Sequence, residues 1–257
     1  MSALSERAAL GDRTVIGDSA KATSADVAAF VELLRTPSWE VRELAVQCLL
    51  RVEHPNAAHA LVLALDDPHF QVRGAALSGL ERRAQPVMQA ALFAAYDRAE
   101  DPWTRSGIAR ALGRVGAALD VRALRERCDR EPDPVAREGC VVALARAGEP
   151  AAREQFARQL HAARGEDLLH LFEQCAYLHA PWLLPALAPL LEDETPVSFY
   201  GGHDPEGRPP GALRVCDLAV NLAQEISGAA FSFSVAPRKN YARSERAEVA
   251  RFVDAMP

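Results

Sequence analysis

The chain has 257 residues, 49% hydrophobic and 25% charged, a balance that excludes disorder over its length and leaves room for one or two globular domains. Aromatics make up only 6% while Ala, Leu and Arg abound, which suits closely approaching helices and suits β-sandwiches poorly. A formal charge of -6 counts against nonspecific nucleic-acid binding without deciding what local patches do.

Residues 1–23 lack an apolar run of signal-peptide length and read as a flexible N-terminal segment. No window approaches the apolar length of a membrane span, so no membrane partner is expected and the cytoplasm is the expected location. Cys48, Cys128, Cys140, Cys175 and Cys216 form no CxxC pair. They read as reduced core thiols, with no metal and no cofactor implied.

From residue 24 the sequence repeats. Arg42, Arg73, Arg105 and Arg137 stand 31, 32 and 32 residues apart; seven residues after each comes Leu49, Leu80, Leu112 or Leu144, and thirteen after come Pro55, Pro86, Ala118 and Pro150. Proline lacks an N–H and is preorganised for the first helical turn, so each proline marks the first helix of a unit. Pro181 extends the column and implies a fifth unit whose second helix spans about 166–178, with Leu168 at the arginine position. A sixth begins at Pro181. Its second helix is expected at 212–227, with Val215 in the arginine register and Leu218, Ala219 and Leu222 on the apolar face. The sequence thus predicts an all-α fold, an α-α superhelix of about six helix pairs over 24–228. A short extended segment at 229–235 and a capping helix at 244–255 complete residues 229–257.

The runs Asp67 to Arg73, Asp101-Pro102-Trp103-Thr104-Arg105 and Asp133-Pro134-Val135-Ala136-Arg137 resemble the HEAT-repeat family, in particular the short bacterial, phycobilisome lyase-type HEAT-like repeat. The resemblance covers roughly residues 24–227. It implies a HEAT-like solenoid and a ladder of Asp–Arg pairs, here Arg42, Arg73, Arg105 and Arg137 with the turn acids Asp67, Asp101 and Asp133. Those acids can also cap the second helices. The resemblance further implies that second helices line a concave surface.

At about 100° per residue, offsets 0, 3, 4 and 7 from each arginine face the core, while offset 9 lies on the opposite side. Offset 9 holds Arg51, Arg82, Arg114 and Arg146, with Arg110 at offset 5 beside them. Either these cations favour the C-terminal ends of their helices, or they form a row that binds an acidic protein surface or a phosphate backbone. Offsets -2 and 5 add Glu40, Gln47, Gln71, Ser78, Trp103, Val142, Glu173 and Tyr177 as concave candidates. Trp39, Trp103 and Trp182 all lie beside helix starts, where packing as staples is the plainer reading.

The insertion 194–211 is too rich in Gly and Pro for helix. Phe199, Tyr200 and His203 in it are candidates to meet a partner, the two aromatics by entering it. His203 and Asp204 make neither a metal site nor a triad by themselves. Cys216 and Asp217, adjacent on a helix, point about 100° apart and suit no joint nucleophile–base role.

No phosphate loop, zinc pattern, nucleophile elbow or carboxylate pair is present to name a catalytic residue. The expectation is a noncatalytic protein-interaction scaffold or adaptor, an inhibitor or immunity-type protein among its variants, whose partner is another protein with an acidic surface. The alternative is a HEAT-like enzyme, bilin lyase-like or DNA glycosylase-like, or a nucleic-acid-binding protein.

Overall fold

Caps and prolines decide where the helices begin. In the computed structural model, which describes residues 3–197 and 213–256, the chain divides into two compact units, Met1–Glu149 and Pro150–Pro257. The first contains α1 (Ala3–Ala9), α2 (Val15–Asp18), α3 (Ser24–Leu33), α4 (Trp39–Leu49), α5 (Pro55–Leu63), α6 (Phe70–Arg83), α7 (Gln89–Arg98), α8 (Pro102–Gly113), α9 (Val121–Arg130) and α10 (Pro134–Arg146). The second contains α11 (Pro150–Ala162), α12 (Gly165–Leu178), α13 (Leu184–Leu187), α14 (Val215–Ser227) and α15 (Arg243–Asp254). From α3 to α14 these helices pair in sequence, and the described residues hold the six pairs expected. The protein is all-α and of the helical-solenoid class. The boundary between units falls at Pro150, inside the stretch that the sequence reads as one solenoid.

The columns have the predicted structural roles. Pro55 is at the first position of α5, Pro150 opens α11, and Pro86 and Pro181 open 3-10 turns that lead into α7 and α13. Leu49, Leu80, Leu112 and Leu144 are all fully buried. Pro102 and Pro134 occupy the same early position in α8 and α10, behind aspartates that cap them: Asp101 accepts from the Thr104 N–H, and Asp133 from those of Val135 and Ala136. Each cap satisfies donors that a helix start leaves open.

Residues 3–21, expected to be flexible, are helical and packed. Ala8 and Val15 are buried, α1 lies on α3 and α4, and the Arg7 guanidinium gathers Asp12, Asp18 and Thr14 at 2.7–2.8 Å.

Second helices stack in the first unit, α4 on α6, α6 on α8 and α8 on α10. The last contact is the tightest in backbone terms. A Cβ added at Gly139 would lie 2.6 Å from the Ser106 Cα and 2.7 Å from its carbonyl oxygen, so α8 and α10 approach where only glycine fits.

The arginine ladder exists, with a different set of acids. Each ladder arginine first binds its own turn: Arg42 Nη1 donates to the carbonyls of Thr36 and Pro37, Arg73 Nη1 to those of Asp67 and Pro68, and Arg105 Nη1 to those of Ala99 and Glu100, all at 2.9–3.0 Å. These carbonyls stand six and five residues before the arginine. The rest of the fork reaches the following unit. Arg42 makes a bidentate pair with Asp67 (2.6 and 2.9 Å), and Arg105 makes one with Glu131 (2.9 and 3.0 Å), not with Asp133. Asp133 is occupied as the cap of α10, whereas Glu131 is buried and also accepts from the Tyr96 hydroxyl at 2.7 Å. Arg73 bonds Thr104 Oγ1 at 3.1 Å and keeps Asp101 at 3.8 Å. Arg137 is exposed and bonds only the Glu131 carbonyl among these turn groups, so the last predicted rung is not a buried acid pair.

The second unit is fastened by other means. The register is as expected: Leu168, Val215, Ala219 and Leu222 are buried, Leu218 only partly. Arg214 and Asp217 take the place of a ladder rung. Fully buried Asp217 accepts from Arg214 Nε and Nη2, from the Arg214 and Tyr241 backbone N–H groups and from Asn240 Nδ2, all at 2.8–3.0 Å. Buried Arg246 of α15 donates to the Leu191 carbonyl at 3.0 Å and pairs with Glu194. Residues 229–235 form no strand; Phe231 stacks on Phe233 at 5.5 Å and meets Phe252 of α15 edge-on.

Burial raises the carboxyls of Asp67, Glu131 and Asp217, but the charge-assisted bonds they accept outweigh it and hold all three below the ordinary carboxylate range. Their stabilisation is therefore complete above the unfolded value of about 4 and is lost as pH falls through it toward the folded values. Glu131→Gln should cost about 3 kcal/mol in urea unfolding at neutral pH, because Arg105 loses its counter-charge while staying half-buried. The variant should also lose less stability than the parent between roughly pH 5 and 3. A second pair of substitutions checks the helix approach. Gly74→Ala, where an added Cβ meets nothing within 4 Å, should raise the melting temperature, and Gly139→Ala should lower it through about 1–3 kcal/mol of overpacking.

Candidate interaction surface

On α6 the positions two before and nine after the ladder arginine, Gln71 and Arg82, are eleven residues apart. Eleven steps of about 100° bring them back to within roughly 20° of one direction, so they share a stripe along the helix. Beside it runs the equivalent stripe of α4. The two enclose an open groove lined by Glu43, Gln47, Leu50 and Arg51 from α4 and its end, by Gln71, Gly74, Ala75, Ser78 and Arg82 from α6, and by Ile16 of α2. Five of the sequence candidates, Gln47, Arg51, Gln71, Ser78 and Arg82, meet here. Glu40, at the start of α4, is exposed and accepts from the Ser38 hydroxyl.

The charges in the groove are unequally employed. Glu43 accepts from Arg13 at 3.0 Å and from Gln47, and Gln47 also accepts from Arg13 at 3.1 Å. Arg51 and Arg82 are exposed, and no described acid lies within ion-pair distance of either. The other cations predicted for the row are engaged. Arg110 donates to Glu81 at 2.8 Å across α8 and α6, and Arg114 and Arg146 are partly buried with partners of their own. Val142 is in the core at 1% exposure rather than on the surface, within a run of α10 buried from Gly139 to Ala145.

Trp103 does not pack as a staple: it is 69% exposed at the start of α8. Trp39 stacks face to face on His69 at 4.1 Å, and His69 in turn stacks on Phe70, itself 67% exposed. Trp182 meets Phe156 edge-on, with the Arg153 guanidinium 5.3 Å from its ring. In the second unit, Glu173 is exposed beside His170 and Tyr177 is partly buried. Phe199, Tyr200, His203 and Asp204 lie outside the described residues. The stem of their insertion is described: the Val197 N–H donates to the Leu213 carbonyl at 2.7 Å and the Val215 N–H to that of Thr195 at 3.0 Å.

Sequence reasoning missed Glu131, Glu81 and Arg13. Glu131 was visible, since Asp67 and Glu131 both stand six residues before a ladder arginine, whereas Asp101 and Asp133 stand four before one. Counting from the arginine, rather than matching Asp-Pro, separates the rung acids from the caps.

Among the described residues, no group of three or more His, Cys, Asp and Glu could hold a metal ion, and no helix is long and apolar enough to cross a membrane. The family model for HEAT repeats matches residues 9–81, 27–98 and 58–145, spans that together cover more than half of the chain. The chain belongs to the HEAT-repeat family. No curated protein matches the sequence of this HEAT protein. Among solved structures, it is similar to a chain of the complex of CpcE and CpcF of phycocyanin lyase from Nostoc sp. PCC7120, with a TM-score of 0.55, 17% identity, and 99% of this chain and 90% of that chain covered. It also matches YibA of Escherichia coli at 15% identity and a TM-score of 0.45, covering 84% of this chain and 74% of that one. The first likeness shows the helical-repeat fold.

All five cysteines are buried. Burial pushes the Cys48 thiol up to about 11 and Cys175 up to about 12, and it raises Cys216 as well. Cys140 is raised by its hydrogen bond with Cys128 and by burial, while the same bond lowers Cys128, which is only 3% exposed. Buried thiols kept protonated are poor nucleophiles. The native protein should therefore resist iodoacetamide at pH 8 and take up five labels only when unfolded in urea, as intact mass would show.

Proposed function

We propose that this HEAT protein is a noncatalytic interaction scaffold that receives an acidic surface of a partner protein in the α4–α6 groove. The observation that carries the reading is the state of Arg51 and Arg82. Their neighbours Glu43 and Gln47 are bonded to Arg13, and the nearby Arg110 is bonded to Glu81, which leaves two exposed guanidiniums facing one groove without acids of their own. A planar guanidinium gains most from a carboxylate approached in a bidentate fork. On a chain of net charge -6, two such unneutralised cations also orient an acidic partner toward this groove and away from the rest of the surface. An inhibitor of the immunity type is one form of such a scaffold, because occluding a partner requires only that its acidic face be covered.

The test is affinity capture from the native host with the full chain and two variants. Arg51→Glu together with Arg82→Glu should reduce recovery of the specific partner at least tenfold, through repulsion where attraction stood. Arg122→Glu on α9, a 90% exposed side chain outside the groove, should recover the partner as well as the parent does. Equal recovery by the groove variant and the parent would remove the groove from the partner site.

A further inference from the structure

The groove holds more information than its charge. Resting on the reading of it as the partner site, we infer that its occupant is an extended acidic segment of the partner, carrying two carboxylates three residues apart. The spacing follows from helix packing. Arg51, two residues past the end of α4, and Arg82, near the end of α6, hold the same offset in adjacent units whose second helices pack, and packed helices lie about 8–10 Å apart. A polyproline-II segment, extended and turning every three residues at about 3.1 Å each, places the carboxylates of residues i and i+3 on one face roughly 9 Å apart, a matching course. An α-helix covers the same distance only at i and i+7.

The lining favours the extended form. Gln71 and Ser78, both exposed, present an amide and a hydroxyl, which can pair with the unsatisfied N–H and C=O groups of an extended backbone. A helix has already spent those groups internally and brings an apolar stripe, for which the groove offers chiefly Ile16, Leu50 and Ala75. Gly74 forms part of the floor, and a Cβ added there would meet nothing within 4 Å, so a backbone can approach closely. Charge, spacing and hydrogen-bonding capacity agree on one ligand: Asp/Glu-x-x-Asp/Glu in an extended stretch. Nucleic acid does not share this chemistry, since its phosphates ask for cations along a strand, whereas here Glu43 lies in the groove itself.

Fluorescence anisotropy at low ionic strength tests this with the full chain and labelled twelve-residue Gly/Ser peptides bearing two aspartates. The peptide with aspartates three apart should bind about tenfold more tightly than those with aspartates adjacent or six apart. It should also outbind a helix-forming peptide with glutamates seven apart and a single-stranded oligonucleotide. Arg51→Gln with Arg82→Gln should abolish the preference, and Arg122→Gln should keep it, with circular dichroism verifying the fold of each. Equal binding of all spacings, stronger binding of the helical peptide or oligonucleotide, or a preference that survives R51Q/R82Q would overturn the inference. If the spacing preference is absent while R51E/R82E still loses the captured partner, the extended-segment inference falls and the scaffold reading stands. If capture is indifferent to R51E/R82E, the scaffold reading falls first.

Discussion

The stack of the first unit depends on one guanidinium used twice. A ladder arginine closes the turn before its own helix by bonding the carbonyls six and five residues back, and with its remaining donors it grips the acid that opens the next unit's turn. The geometry is possible because Arg presents five donors in a fixed plane, enough to serve carbonyls along one edge and a carboxylate along another. A lysine could neutralise the acid but could not span both. Because the turn carbonyls are held by the same group that holds the neighbouring unit, the angle between a unit's two helices and the placement of the next unit are set together. That coupling makes the inner stripes of α4 and α6 fall side by side, so the groove is a consequence of the ladder.

How much of this was legible depends on whether a residue's role is set by its own helix or by a neighbour. The leucine and proline columns are local: helical period buries the first, and the missing N–H places the second. Both could be read from spacing. The helix of 165–178 and the register at Val215 follow from the same rule without the arginine. The rung acids are not local. Asp67 and Asp133 look equivalent because each precedes a proline, yet one faces a guanidinium from the preceding unit and the other faces its own helix start. Trp103 misled for a related reason. A tryptophan beside a helix start packs if a neighbouring helix supplies a partner, as Phe156 of α11 does for Trp182, and Trp103 stays exposed. The N-terminal segment had no repeat to announce it, though Arg7 with Asp12, Thr14 and Asp18 encodes a local clasp.

The second unit solves the same problem without the repeat's arginine. Leu168 stands in the arginine register of α12, and the charged rung reappears at α14 as Arg214 with Asp217. There the carboxylate is saturated by five donors, two of them from Asn240 and Tyr241 beyond the end of α14. A buried charge with every lone pair engaged is a fastening rather than a reactive group. This accounts for Cys216 and Asp217 together: the thiol, buried and raised by burial, lies 3.9 Å from Asp217 Oδ1, on a carboxylate that five closer donors already hold as a charge.

The weakest rung lies between the same two helices that Arg110 and Glu81 join. Counting six back from Arg105 gives Ala99, so the turn before α8 has no acid to meet Arg73. Asp101 is close, but it caps α8 through the Thr104 N–H and hydroxyl, and it stays 3.8 Å from the guanidinium. The joint between α6 and α8 is therefore held on its turn side by a neutral hydroxyl where the flanking joints have bidentate carboxylates. Between the same two helices, Arg110 of α8 also pairs with Glu81 of α6, with both side chains largely shielded from solvent. That ion pair is a closer charged link between the helices than the 3.8 Å contact of Arg73 with Asp101. Arg110 of α8 is thereby engaged, while Arg51 just past α4 and Arg82 of α6, whose joint already has the Arg42–Asp67 rung, meet no described acid. Of the row at offset nine, the arginines with no described acid are thus the two beside the Arg42–Asp67 rung.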